Sequence, residues 1–219
     1  MKARPIALAL KVKNISKNFG GVKALDDVSF ELEKGKTVGL VGGNGSGKTT
    51  LLNVITKMVV PDGGEVFFNG KRIDRLPAYK IARLGVGRIF QTGGIFNNMT
   101  VLENLLVAND STREEAERVL EKVGLAGKIE DKAATLSGGQ LRLLEFGRVM
   151  IRKDELILLD EPFAGVSESN SKKIEQTIRK LQKEGKSLIL IEHDLPRIKR
   201  LCDKVIELEK GQKIKEMKA

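Results

Sequence analysis

The sequence predicts an α/β fold: a parallel-sheet core, a small antiparallel sheet toward the N-terminus, and a helical stretch inserted in the middle. Three observations carry this. A glycine-rich stretch, Gly42-Gly43-Asn44-Gly45-Ser46-Gly47-Lys48-Thr49-Thr50, lies between an apolar run, Val38 to Val41, and a helical pattern, Leu51, Leu52, Val54 and Ile55. Two more apolar runs, Leu156 to Leu159 and Leu188 to Ile191, have the length of strands buried on both faces, and each ends in charged residues. Leu8, Leu10 and Val12, and then Val28 to Leu32, alternate with polar or small residues as half-buried strands do.

Taken in order, the N-terminal residues Lys2 and Arg4 precede an apolar patch, Ile6 to Leu10, which is too short for a secretory segment and reads as a strand. Asp26-Asp27 reads as a turn before the second strand, and Phe19-Gly20-Gly21 as a loop. The helix after the glycine-rich stretch should run to about Met58 and stop before Pro61-Asp62-Gly63-Gly64. Glu65 to Phe68 is a strand with a hairpin-type turn at Asn69-Gly70. Ile81 to Phe90 reads as a strand ending at Gln91, followed by a loop at Thr92-Gly93-Gly94. Helical spacing then runs from Thr100 to about Val123, with Leu102, Leu105, Leu106, Ala116, Val119 and Leu120 on one face. A second potential anion site follows in Leu136-Ser137-Gly138-Gly139-Gln140, before a helix marked by Leu141, Leu144, Phe146 and Val149. Ser171 to Glu184 is a helix with a basic outer face, and Val205 to Leu208 and Lys213 to Met217 are short closing strands.

The chain has 219 residues, enough for one sizeable core and too few for two nucleotide-binding units. Its 39 Lys and Arg against 29 Asp and Glu give a net charge of +10, which suits an anionic partner or an ordinary solvated surface with a basic bias. Cys202 is the single cysteine, which excludes an intrachain disulfide, suggests a reducing compartment and reads as a packing residue. No apolar run approaches the roughly 20 residues that span a bilayer, so a membrane role is expected through a separate partner.

The residues Gly42 to Thr49 fill the G-x-x-x-x-G-K-[ST] template. Gly42, Gly45 and Gly47 allow backbone N–H groups and the helix N-terminus to cradle phosphates; Lys48 would reach the β- and γ-phosphates and Thr49 would ligate Mg2+. Asp160 and Glu161 stand at the C-terminal end of a buried strand, where open α/β sheets bind ligands. They are charges at a solvated strand end, or, given the phosphate loop, a metal-holding carboxylate and a general base. Gln91 and His193 close similar strand ends and could orient metal or water and reach the γ-phosphate. Phe19 either caps the small sheet or stacks on adenine.

With these motifs in this order over nearly its full length, the chain resembles the ATP-binding cassette ATPases. Leu136-Ser137-Gly138-Gly139-Gln140 matches that family's signature, its most specific stretch. By the same resemblance Phe19 is the adenine-stacking aromatic, Gln91 the glutamine of the loop that follows its strand, Asp160 a Mg2+ holder, Glu161 the catalytic carboxylate and His193 the switch histidine. The implied fold is a phosphate-loop NTPase core of RecA-like form with an antiparallel β-subdomain and a helical subdomain at about 92–150.

The segment from Arg88-Ile89-Phe90-Gln91 to Leu105 is most similar to the ATPase subunits of branched-chain amino acid importers. The resemblance implies ATP hydrolysis with Mg2+ on the cytoplasmic face of the membrane, and pairing of two cassettes, identical or related, so that each ATP lies between Gly42–Thr50 of one and Ser137–Gln140 of the other. It also implies permease subunits docked near Gln91. Gly43 departs from the usual proline or alanine, and Ser167 from the usual Asp or Asn. The chain ends soon after Met217, so regulation through a longer tail is not expected. The alternative is a cassette ATPase acting on nucleic acid or ribosomes. Such proteins usually carry long insertions or two cassettes, whereas 45 positions separate Gln91 from Leu136, so no nucleic acid is expected as partner.

Overall fold

A computed structural model describes residues 7–90 and 94–219. Ile6, Gln91, Thr92 and Gly93, on which several expectations fall, lie outside the described residues.

Two long N-terminal strands, β1 (Leu8–Phe19) and β2 (Val22–Glu33), form an antiparallel hairpin. β4 (Gly63–Phe68) and the two-residue β5 (Lys71–Arg72) complete a sheet of order β2-β1-β4-β5. Asp26-Asp27 is a bulge inside β2 and not the turn its composition suggests. Asp27 takes φ 55° and its N–H donates to Ser16 Oγ at 3.0 Å, so the hydrogen bonding continues past it. The turn falls at Gly20-Gly21, and Asn69-Gly70 makes the expected hairpin turn with both residues at positive φ.

The second sheet has the order β10-β9-β3-β8-β7-β6. β3 (Thr37–Val41), β6 (Val86–Ile89), β7 (Leu156–Asp160), β8 (Ser187–Ile191) and β9 (Lys204–Glu209) pair in parallel, and β10 (Gln212–Lys218) lies antiparallel on β9. β3, β7 and β8 are buried at every position, which is why they read as unbroken apolar runs. Each parallel strand delivers its C-terminal residue to one edge of the sheet.

Several helical boundaries differ from expectation. The helix α1 (Lys48–Ile55) stops short of Met58, where Lys57 takes φ 59° and turns the chain. Ile81 to Phe90 is not one strand: α2 (Ala78–Arg83) starts after Pro77, and Gly85 at φ 97° ends it before β6. Ile81 is the buried residue of that single-sided helix, a pattern that ten apolar-rich residues cannot distinguish from a strand. Thr100 to Val123 is two helices, α3 (Val101–Leu106) and α4 (Arg113–Lys122). Each opens with a reciprocal capping box, Thr100 with Glu103 and Thr112 with Glu115, and the second box is a start signal legible in the sequence.

The remaining helices are α5 (Gly138–Ile151), α6 (Glu168–Lys183), which starts earlier than Ser171, and α7 (Leu195–Leu201). One apolar cluster joins Val101, Leu105, Leu120 and Phe146 of the helical stretch to Ile157, Leu159 and Leu190 of the sheet. A second lies between the two sheets, packed around α1 through Leu10, Phe30, Leu51 and Leu158. Cys202 is a packing residue in this structure, and burial pushes its thiol pKa up to about 12. No helix among the described residues is long and apolar enough to cross a membrane.

Candidate functional site

The loop between β3 and α1 is held from three directions. Gly42, Gly45 and Gly47 take φ 146°, 75° and 104°, so the chain coils tightly before the helix. Gly47 admits no side chain, since a Cβ there would lie 2.5 Å from the Ala24 carbonyl of β2. The turn between β9 and β10 buttresses the loop, Gly211 N–H donating to the Ser46 carbonyl at 3.1 Å. Asp26 N–H donates in turn to the Gly211 carbonyl at 2.8 Å, which ties β2 into the same junction. Asn44 and Gly45 face outward, and Ser46 is buried.

Lys48, only 6% exposed, bends over this loop, its Nζ donating to the carbonyls of Gly42 at 2.8 Å and Gly43 at 2.9 Å. Desolvation lowers its pKa, while the negative charges of Glu161 and Asp160 act in the opposite direction. The Thr49 hydroxyl donates to Asp160 Oδ1 at 3.4 Å, so α1 and the end of β7 meet. Thr50 is the next residue of α1 and half-buried.

Glu161 follows β7 with φ 48°, a left-handed conformation that costs a non-glycine residue about 1–2 kcal/mol. Its N–H donates to the Ile191 carbonyl at 3.1 Å, joining the ends of β7 and β8. That turn aims its carboxylate at the residue after β8's acidic end: Glu161 Oε1 lies 2.9 Å from His193 Nε2. Such strain clusters at functional sites, and it also marks turns such as Asn69-Gly70 in this chain. Phe19 closes β1 with its ring 46% exposed and Lys17 Nζ 5.2 Å from the ring centre, on the hairpin whose second strand abuts Gly47.

Ser137 caps α5, its hydroxyl accepting from Gln140 N–H while the Gln140 side chain accepts from Ser137 N–H at 2.9 Å. Ser137 and Gly138 are exposed. Gly139 is buried against α6, where a Cβ would lie 2.3 Å from Asn170 Nδ2. A cavity of about 350 Å3 opens beside it, lined by Gly138, Leu141, Arg142, Gly165 and Val166. No hydrogen bond among the described residues joins Ser137–Gln140 to the Gly42–Thr50 loop.

Lys48, Thr49, Asp160, Glu161 and His193 thus converge within one chain, and Ser137–Gln140 stand apart. Two hard oxygen donors, the Thr49 hydroxyl and the Asp160 carboxylate, face each other, and no cluster of three or more acidic, His or Cys residues among the described residues could cage a metal. That donor set fits Mg2+, which keeps its waters and takes its other ligands from a substrate's phosphates.

Sequence reasoning missed three supports. Arg88, in β6, donates from its NH2 to Asp160 Oδ2 at 3.0 Å and from NH1 to Asn53 Oδ1 on α1 at 2.7 Å. Arg88 and Asp160 are 5% and 4% exposed, and removing one partner from such a buried pair costs about 3–5 kcal/mol. A charge inside an otherwise buried run was the available signal. Glu192 Oε1 accepts from the N–H groups of His193 and Asp194 at 3.1 and 3.4 Å, holding the histidine turn. The Arg197 guanidinium stacks 4.1 Å from the Phe163 ring centre, tying α7 to the segment after Glu161.

A profile of the family described as ABC transporter matches residues 25–164. The chain is 37% identical to the probable branched-chain amino acid transport ATP-binding protein LivG of Archaeoglobus fulgidus, over 95% of this chain and 89% of that one. It is 35% identical to the high-affinity branched-chain amino acid transport ATP-binding protein BraF of Pseudomonas aeruginosa, over 95% and 90%. Among solved structures, a nucleotide-free ATP-binding cassette from an ABC transporter superposes with a TM-score of 0.89 at 34% identity, covering 97% of this chain and 92% of the other. A dimeric cassette bound to ADP and Pi in a post-hydrolysis state superposes at 0.85 with 26% identity, covering 95% and 98%.

Proposed function

The chain belongs to the ABC transporter family as an ATP-binding, ATP-hydrolysing subunit, and from that premise we propose that it powers the import of branched-chain amino acids or a similar small polar solute by ATP-driven pairing of two cassettes. The observation that carries the hydrolytic part of the reading is the 2.9 Å contact of Glu161 with His193 beside the Lys48 loop, and the solute rests on the likeness to branched-chain amino acid transport ATP-binding proteins.

In this reading Phe19 stacks on adenine, and Gly42, Gly43, Asn44, Gly45, Ser46, Gly47, Lys48, Thr49 and Thr50 bind the phosphates. The loop N–H groups and the α1 dipole receive phosphate oxygens, and the Lys48 ammonium exchanges its carbonyl partners for them. Glu161 takes a proton from the attacking water, and His193 orients that carboxylate and reaches toward the γ-phosphate. Thr49, Asp160 and Gln91 would hold Mg2+, which when bound neutralises charge on the phosphates. Ser137, Gly138, Gly139 and Gln140 present the open start of α5 to the ATP of a second cassette. The separation of this stretch from its own phosphate loop supports a site completed only on pairing. Membrane permease subunits would dock near Gln91 and the helical stretch after it and hold the subunit at the cytoplasmic face; Phe90, Phe96, Arg148 and Arg152 line a cavity of about 420 Å3 that supports this reading.

The test is size-exclusion chromatography with light scattering on Glu161→Gln, with and without ATP. ATP should convert monomer to dimer, and Ser137→Arg should abolish the shift. A protein that binds ATP and stays monomeric would overturn self-pairing.

A further inference from the structure

Asp160 is held in one orientation by a residue that lies outside the phosphate loop and to which the sequence gives no role at the site. Its Oδ2 accepts from Arg88 NH2 at 3.0 Å, which leaves Oδ1 directed at the Thr49 hydroxyl, 3.4 Å away. The same guanidinium reaches the phosphate-loop helix through Asn53 Oδ1 at 2.7 Å and lies over the Phe90 ring, 4.8 Å from its centre. Arg88 therefore spans β6, α1 and β7, in a setting where both members of the ion pair are almost fully buried. Its Nε has no hydrogen-bond partner among the described residues, an expense the fold bears while keeping the other two nitrogens engaged. A carboxylate bound at one oxygen by a fixed fork has a single oxygen left to offer and little freedom to rotate.

We infer that Arg88 is a positioning residue for the metal-holding pair: by clamping Asp160 to Asn53 it keeps the Asp160 Oδ1 and Thr49 hydroxyl together, so the two donors present to Mg2+ as one rigid unit. The inference rests on the reading of Asp160 as a Mg2+ holder. In this reading Arg88 acts through Asp160 and is not itself a ligand of metal or nucleotide. Because it lies three residues before Gln91, the clamp also anchors the strand that leads into that residue.

The experiment uses Mn2+ as a paramagnetic probe on the full chain, titrated by electron paramagnetic resonance in the presence of excess ATP analogue that is not hydrolysed. Nucleotide affinity is measured in parallel with chelator present. Arg88→Met should bind nucleotide without metal within about 2-fold of the parent, yet lose roughly 10-fold or more in Mn2+ affinity, as a disturbed support of a metal ligand does. Arg88→Lys, which restores a charge without the fork, should recover part of the loss. Asn53→Ala, which spares the buried ion pair, should give a smaller loss in the same direction, and it serves if circular dichroism shows Arg88→Met unfolded.

Asp160→Asn is the control on the underlying reading. Unchanged Mn2+ affinity in that variant would overturn the assignment of Asp160. A loss there with unchanged or tighter Mn2+ binding in Arg88→Met and Asn53→Ala would overturn only the clamp. Equal losses of nucleotide affinity with and without metal would show a general structural role and overturn it as well.

Discussion

Replacing Glu161 by Gln separates binding from chemistry at this site. Glutamine matches the glutamate in size, and its amide oxygen can accept from His193 Nε2 across the same 2.9 Å. The backbone at φ 48° and the Glu161 N–H bond to Ile191 involve no side-chain atom, so the turn survives. Folding stability should therefore change by no more than about 0.5 kcal/mol. What is lost is the group that, in the proposed mechanism, takes a proton from water. A positioned general base contributes roughly 10²–10⁴-fold, equivalent to about 3–5 kcal/mol of barrier. Phosphate release at saturating ATP should fall by that factor, while affinity for a fluorescent ATP analogue stays within about 3-fold, because Lys48 and the loop amides are untouched. Glu161→Gly sharpens the test. It removes the same base but relieves the left-handed strain, worth about 1–2 kcal/mol against a glycine entropy cost of about 0.5–1, so it should be as stable as the parent or slightly more so and equally inactive. Turnover within about 3-fold of the parent in either variant would refute the reasoning.

Gly47→Ala should lower stability by about 2–4 kcal/mol, from left-handed strain at φ 104° plus a Cβ placed 2.5 Å from the Ala24 carbonyl, as read by urea unfolding. A loss below about 0.5 kcal/mol would mean that the loop does not pack on β2 as described. Glu145, paired with Arg142 at 2.7 Å on α5, has its pKa raised from 4.5 to about 7 by burial. Between those values the folded state keeps a proton that the unfolded state has lost, so this contribution to stability is present at low pH and disappears as pH rises through about 7. The size should be about 1–3 kcal/mol between pH 5 and 8. Asp154, raised to about 6 by desolvation, adds the same sign over a lower window. Urea unfolding across this range should show a decline that Glu145→Gln flattens above about pH 6, and parallel curves for the two proteins would contradict it.

Local chemistry made much of this protein legible from its residues. The Gly42–Thr49 loop, the Asp160-Glu161 pair and the Ser137–Gln140 helix start are each legible in a few neighbouring residues, and buried strands such as Leu156–Asp160 announce themselves because both faces are covered. The capping box at Thr112 is equally local, and it divides into α3 and α4 a stretch that helical spacing alone joins as one helix. Ile81 to Phe90 was ambiguous in a deeper sense: short apolar runs serve a one-sided helix or a strand alike, and only the vacancy beside β7 decided that Val86–Ile89 would pair while Ala78–Arg83 would not.

Tertiary structure alone decided the contacts between distant segments. Nothing near Ser46 in the chain indicates that Gly211 supports it, nothing near Asp160 that Arg88 and Asn53 orient it, and nothing near Glu161 that its backbone is held in a left-handed turn against Ile191. Residue type states which groups are able to bind a phosphate or move a proton. Which oxygen is left free to do so, and at what distance, follows from the parallel order of β3, β8 and β7, which brings residues more than 100 positions apart to one edge of a sheet.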